Sequence, residues 1–142
     1  MKTILPKVSV VMSVFNSELY LKSAIESILN QSYSNLEFII INDCSTDNSE
    51  TIIKSFNDNR IKYIKEFENI GLETALNKNF MLAEGEFIAR MDADDIASPD
   101  RLKHQVEFLM ANGEIDLVGT WYEKITNTVS LGIKPQQSDY KK

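Results

Sequence analysis

The stretch LEFIIINDCSTDNSETII, Leu36–Ile53, decides the fold. It opens on an apolar run, Leu36–Asn42, that reads as a strand. It then turns through small polar and acidic residues. Asp47 and Glu50 stand at capping-box spacing ahead of Ile52, Ile53 and Phe56, which predicts a short helix. Strand, polar turn and helix recur on either side. Upstream, VSVVMSV (Val8–Val14) is a buried-strand pattern followed by FNSE (Phe15–Glu18). A helix over Leu19–Gln31 then shows Leu21, Ala24, Ile25, Ile28 and Leu29 on one face. Downstream, Ile61–Glu66 reads as a third strand. Gly71 opens a helix with Leu72, Ala75, Leu76, Phe80 and Ala83 on a shared face, and Gly85 stands where a residue just past a helix is expected. Glu86–Met91 is a fourth strand. Ser98 and Pro99, as N-cap and first helical residue, start a helix with Leu102, Val106 and Leu109 inward. Ile115–Trp121 is the expected last strand. From Thr126 the chain turns polar and irregular, so residues 1–125 are read as one domain and 126–142 as a tail. There are no internal repeats and no long linker.

Strands alternating with helices at this spacing argue an α/β fold, a mainly parallel sheet flanked by helices. Ligands bind such sheets outside the carboxyl ends of the strands. The loops there are Phe15–Glu18, DCSTD (Asp43–Asp47) and DADD (Asp92–Asp95), so Asp43 and Asp94 are expected to face one site across about fifty residues of sequence. Asp92, Asp94 and Asp95 fall within four positions, and such carboxylates repel one another. A hard cation, Mg²⁺ or Mn²⁺, offsets the repulsion and takes one or two carboxylates plus substrate phosphates. The competing reading is a solvated turn whose aspartates accept backbone hydrogen bonds. The second acidic loop and the strand before the aspartates weigh against it.

Charge and composition narrow the classes. The formal net charge of -6 argues against a nucleic-acid surface but leaves room for an anionic ligand bridged by a metal. The single cysteine, Cys44, excludes an internal disulfide and fits a reducing compartment. No apolar run approaches the ~18 residues that span a bilayer. The β-branched N-terminal segment, broken by Pro6 and Lys7, reads as a first strand rather than a signal peptide. His104 falls outside the Leu102–Val106–Leu109 face and is expected at the surface. Trp121 is expected in the core, and Cys44, beside Asp43, is expected to be inert.

Four segments in order carry a family resemblance: VSVVMSVFN (8–16), AIESILNQSYSNLEFIIINDCSTDNS (24–49), ENIGLETALNKN (68–79) and GEFIARMDADDIASPDRL (85–102). From Val8 to Trp121 the chain resembles the nucleotide-sugar-binding N-terminal part of a family 2 glycosyltransferase with the GT-A, Rossmann-like fold. It is most similar to bacterial enzymes of capsule and exopolysaccharide synthesis. The resemblance implies that Asp92-Ala93-Asp94 is the D-x-D motif. Asp94 then binds Mn²⁺ or Mg²⁺, with Asp92 as the second metal residue, and Asp92 and the Ala93 backbone lie near the ribose and phosphates. It further implies that Asp43 recognises the base, that Ser13, Val14 and Phe15 line base and ribose, and that Asn69 and Gly71 flank the pocket. Arg90 is implied as structural or charge-balancing. Asn42 stands where many relatives have aspartate, and Cys44 where glycine is common.

The implied reaction is transfer from a UDP- or other nucleotide-diphosphate sugar to a glycan or lipid-linked acceptor, with inversion in most relatives. Such enzymes are cytoplasmic, with association at the inner membrane face through regions outside this chain. The general base and acceptor site of the family lie in a second half, and Glu114, Asp116 and Glu123 carry no motif for a base. The chain is therefore expected to be an incomplete domain, and a non-catalytic nucleotide-sugar-binding fragment is the alternative. A phospho-receiver lacks its acidic pair after the first strand. A dinucleotide-binding dehydrogenase is disfavoured because no G-x-G-x-x-G follows that strand.

Overall fold

Strands β1, Val8–Val14, and β2, Leu36–Asn42, run parallel in register from Val8↔Leu36 to Val14↔Asn42. The computed structural model describes residues 5–125 and the backbone of 130–134. Every residue of β2 is buried, as is β1 apart from half-buried Ser13. A strand covered on both faces carries a near-continuous apolar run rather than an alternating one, which is the pattern of FIII and VVM here. Helix α1, Leu21–Leu29, turns Leu21, Ala24, Ile25 and Ile28 inward, at the spacing one helical face requires. Burying its three large aliphatic side chains contributes on the order of 1.5–3 kcal/mol each.

Strands β3, Ile61–Lys65, and β4, Phe87–Arg90, complete a four-stranded parallel sheet of order β3-β2-β1-β4. The chain lays its first three strands outward from β1, then returns to pair β4 with the free side of β1. Such a reversal opens a crevice at the strand ends. Strand β4 pairs only from Val8↔Phe87 to Val11↔Arg90, so it leaves the sheet three residues before β1 ends. Helices α2, Ser49–Ser55, and α3, Leu72–Leu82, belong to the same unit, Met1–Leu102. A second unit, Lys103–Lys142, holds most of helix α4, Arg101–Ala111, and an antiparallel pair, β5 (Tyr122–Ile125) and β6 (Ser130–Lys134). Among the described residues no helix is long and apolar enough to cross a membrane.

The parallel α/β expectation holds, and several local expectations do not. The capping box before α2 does not form. Asp47 Oδ1 instead accepts the Ser49 N–H two residues on, at 2.9 Å, while Glu50 is drawn to Lys54 and Lys65. The inward face of α3 is Ala75 and Asn79, and Leu72 and Phe80 are exposed. Asn79 and Phe80 are ~100° apart on the helix, so both cannot face the sheet. Asn79 is held there by donating to Met12 O and Ser13 Oγ, at 3.3 and 3.2 Å. Helix α4 starts at Arg101, two residues after Pro99, behind a turn in which Arg101 N–H donates to Ser98 O. Ile115–Trp121 pairs with no strand among the described residues and so forms none itself, and Trp121 is 70% exposed rather than in the core. His104 is exposed. Of the expected tail, Ser130–Lys134 is a strand, and residues 126–129 and 135–142 lie outside the described residues.

Gly85 serves close approach rather than a helix end. A Cβ there would sit 2.6 Å from Ser9 N and 2.7 Å from Lys7 O, both backbone atoms. Its N–H donates to Ser9 Oγ at 2.8 Å, and Ser9 Oγ donates to Glu37 Oε1 at 2.5 Å. Glu37 is the charged residue within β2. Its Oε1 also accepts the Glu84 N–H at 2.8 Å, and its Oε2 lies 2.9 Å from Lys7 Nζ and 2.7 Å from Lys62 Nζ. Burial pushes this carboxyl up, but the bonds from Lys62, Ser9, the Glu84 N–H and Lys7 prevail and hold it at about 2.

Two predictions follow from this end of the sheet. Gly85→Ala forces backbone apart and is expected to cost ~1–3 kcal/mol in urea unfolding; an unchanged midpoint refutes the contact. Glu37 binds a proton more weakly folded than at its ordinary 4.5, so its contribution is full above pH ~4.5 and lost as pH falls toward 2. Melting temperature should therefore fall more steeply across that window in the wild type than in Glu37→Gln, and parallel curves would remove Glu37 from the acid response.

Candidate functional site

Past the carboxyl ends of β1, β2 and β4 lies a cavity of about 670 Å³. All nine residues singled out in the sequence line it: Ser13, Val14, Phe15, Asp43, Asn69, Gly71, Asp92, Ala93 and Asp94. Asn16, Ser17, Leu19, Tyr20, Leu72 and Arg90 line it as well. Four of these fifteen, Phe15, Leu19, Tyr20 and Leu72, are apolar or aromatic side chains at least half exposed. The pocket thus combines a greasy rim with a few fixed polar groups, the usual make-up of a small-molecule site.

One wall is made by tying the loop after β1 to the loop after β2. Asn16, with φ of 49°, accepts the Thr46 N–H at 2.8 Å and gives its own N–H to Ser45 Oγ at 3.0 Å. Ser17 N–H donates to Ser49 Oγ and Glu18 N–H to Asp47 Oδ2, each at 3.0 Å. Glu18 Oε2 returns the contact by accepting the Asn48 N–H at 2.9 Å. Cys44 has φ of 58°, a left-handed backbone that glycine adopts at least cost, which is the conformation a glycine at this position would serve. Asn42 is fully buried. Its Oδ1 accepts the Ser45 N–H at 3.0 Å and its Nδ2 donates to Tyr63 Oη at 3.3 Å, a donor that aspartate lacks.

Asp43 closes the pocket from a buried position. Its two oxygens accept the N–H groups of Ile70 and Gly71 at 2.7 and 2.9 Å, and so fix the Asn69–Gly71 turn against the end of β2. Gly71 adopts φ of 81° as it leads into α3. Sequence spacing could not show this use of Asp43, because its partners lie 27 and 28 residues away.

The opposite wall is the aspartate loop. Arg101 props up its start, donating from Nη2 to Arg90 O at 2.7 Å and from Nη1 to Met91 Sδ at 3.2 Å. Arg90 donates from Nε and Nη2 to one oxygen of Asp92, Oδ1, at 3.1 and 2.9 Å. Partial desolvation, then the charges of Asp92 and Asp94, push the Asp95 carboxyl above its ordinary range. Asp94 is exposed to the cavity and has no ion pair among the described residues. Asp92 and Asp94 supply hard oxygen donors, as Mn²⁺ or Mg²⁺ requires. Among the described residues, no three or more His, Cys, Asp or Glu side chains gather into a cage. The donor set therefore fits a cation that completes its shell with oxygens of a bound ligand, and does not fit an all-protein metal centre.

A family model described as "Glycosyl transferase family 2" matches residues 9–140. The chain is 34% identical over 137 residues to the UDP-Glc:alpha-D-GlcNAc-diphosphoundecaprenol beta-1,3-glucosyltransferase WfgD of Escherichia coli, covering 95% of this chain and 54% of WfgD. It spans 38%, 42% and 49% of three further curated relatives. Among solved structures it is similar to S. aureus TarS 1-349 in complex with UDP-GlcNAc. That match has a TM-score of 0.71 at 29% identity and covers 75% of this chain and 32% of that one. It is also similar to the mannosyltransferase PcManGT of Pyrobaculum calidifontis in complex with GDP-Man and Mn2+. There the TM-score is 0.69 at 26% identity, over 75% of this chain and 33% of that one. These neighbours share the GT-A architecture read from the sequence.

The geometry of Asp43 makes a prediction independent of any ligand. Asp43→Ala leaves two N–H groups without acceptors, at an expected cost of about 1–3 kcal/mol. Amide exchange at Ile70 and Gly71 should speed up, with Asp43→Asn intermediate. Unchanged protection at both amides would contradict the clamp.

Proposed function

The chain belongs to glycosyl transferase family 2, and from that membership we propose that its protein transfers a glycosyl unit from a nucleotide-diphosphate sugar, with inversion and metal assistance, in surface polysaccharide synthesis. These residues form the donor side. The observation that carries the reading is the meeting, around one cavity, of Asp43, the end of β1 and the aspartate loop, with Asp94 turned into the cavity and unpaired. The ligands in the names of similar proteins, UDP-GlcNAc in TarS and GDP-Man with Mn2+ in PcManGT, support a nucleoside diphosphate as the common element.

The residues suit such a donor in stages. Phe15 and Tyr20 offer aromatic surface to a base, and Ser13, half-buried at the end of β1, offers a hydroxyl toward base and ribose. The turn that Asp43 holds puts Asn69 and Gly71 on the pocket wall. Asp94, with Asp92, would hold a divalent cation against the diphosphate. Such an ion, when bound, supplies Lewis-acid stabilisation of the charge that grows on the leaving diphosphate. The chain's own task is to orient that diphosphate at the crevice between β1 and β4 and to keep carboxylates apart when no ligand is present. A general base for the acceptor hydroxyl is assigned to no residue here, so transfer is a property proposed for the whole protein and donor binding for this chain.

Calorimetry with UDP tests the reading. Binding is expected with Mn²⁺ and much weaker binding in EDTA. Asp94→Asn should lower the Mn²⁺-supported affinity about tenfold or more, by analogy with lost metal-site interactions, and leave metal-free binding and melting temperature near wild type. Equal affinity with Mn²⁺ and EDTA in the wild type defeats the metal-bridged donor site.

A further inference from the structure

We infer that Arg90 withholds Asp92 from the cation until a diphosphate enters, so that metal and nucleotide are taken up together. The inference rests on the donor-site reading and adds a positioning residue to it. Arg90 is the last residue of β4 and lines the same cavity as Asp94. Two of its guanidinium nitrogens converge on Asp92 Oδ1, and Nη1 has no partner among the described residues. Both side chains are about half exposed, 50% and 46%. A pair this open to water is weak and readily exchanged. Guanidinium recognises phosphate oxygens in the same forked manner as carboxylate oxygens, so an arriving diphosphate offers Arg90 an alternative anion.

The consequence for the cation is arithmetic in ligands. A hard divalent ion needs about six oxygens. Before a diphosphate arrives, the described residues offer Asp94 without an ion pair and Asp92 engaged at Oδ1, with a positive guanidinium beside them and no third ligating group converging. That site holds a lone cation poorly. Once phosphate oxygens draw Arg90 off, Asp92 is released, the repelling charge is neutralised, and the phosphates supply further ligands. Arg101 does not share this role. Its guanidinium donates to Arg90 O and Met91 Sδ and so holds the strand end, while the charge of Arg90 is the one paired with Asp92 Oδ1.

The test titrates the metal without nucleotide. Free Mn²⁺ is followed by electron paramagnetic resonance in wild type, Arg90→Gln, Arg90→Lys and Arg90→Gln/Asp92→Asn, with melting temperature as the folding control. Arg90→Gln should bind Mn²⁺ alone about two- to fivefold more tightly than wild type, the scale of an exposed ion pair. The same variant should lose affinity for UDP at saturating Mn²⁺, so the factor by which UDP and Mn²⁺ strengthen each other shrinks. Arg90→Lys keeps the charge and should hold Mn²⁺ alone as wild type does. The double variant should lose the gain. Arg90→Gln binding Mn²⁺ alone no more tightly than wild type, or an unchanged coupling factor, overturns the role of Arg90 while leaving Mn²⁺-dependent UDP binding by the wild type intact. Loss of that wild-type binding itself overturns both readings.

Discussion

Complete burial of β2 is the constraint on which the rest of the first unit depends. Seven consecutive residues lie inside, so the strand needs cover on both faces and a hydrogen-bonded neighbour on each edge. β1 and β3 supply the edges, and the helices that must follow each parallel strand supply cover. No side chain in the middle of such a strand reaches solvent. Chemistry is thereby pushed to the strand ends, and the return of β4 to the far side of β1 decides which end opens. The early departure of β4 from the ladder, after Arg90, leaves the room that the aspartate loop fills.

The two ends of the sheet handle charge in opposite ways. At the amino end, Glu37 is buried and fully engaged, by two lysines, a hydroxyl and a backbone N–H. That arrangement is closed, and its role is to secure Lys7, Glu84 and the glycine contact at Gly85. At the carboxyl end Asp94 is open and has no ion pair among the described residues, and Asp92 Oδ1 is held by the exposed Arg90. Buried charge that is fully satisfied stabilises one geometry, whereas exposed charge that is partly satisfied is available to a ligand. The contrast separates the engaged carboxylate of Glu37 from the ones proposed for the donor site better than their spacing in sequence does.

What the sequence made legible was local. The bounds of β1 and β2 follow from their apolar runs and polar ends, and the loops after β1, β2 and β4 gather because parallel topology puts all strand ends on one edge. What stayed hidden depends on distant partners. The inward face of α3 is set by Asn79 meeting β1 some 66 residues away, which no helical period shows. Gly85 looks like a helix terminator until the backbone of Lys7 and Ser9 is seen against it. Ile115–Trp121 has strand-type residues, but strand formation requires a ladder partner, and Tyr122–Ile125 has one in β6. Asn16 lines the cavity for the same non-local reason, through its bonds to Ser45 and Thr46.

A chain of net charge -6 would have to correct its field locally to take the diphosphate proposed above. Three aspartates in one loop make the correction harder, yet their surroundings divide them. Arg90 holds Asp92 Oδ1, desolvation and then the charges of Asp92 and Asp94 raise the Asp95 carboxyl above its ordinary range, and Asp94 faces the cavity with no ion pair among the described residues. Asp94 sits on the loop that faces the Asp43 turn across the cavity, the position from which a bridging cation would reach the diphosphate of the donor proposed above.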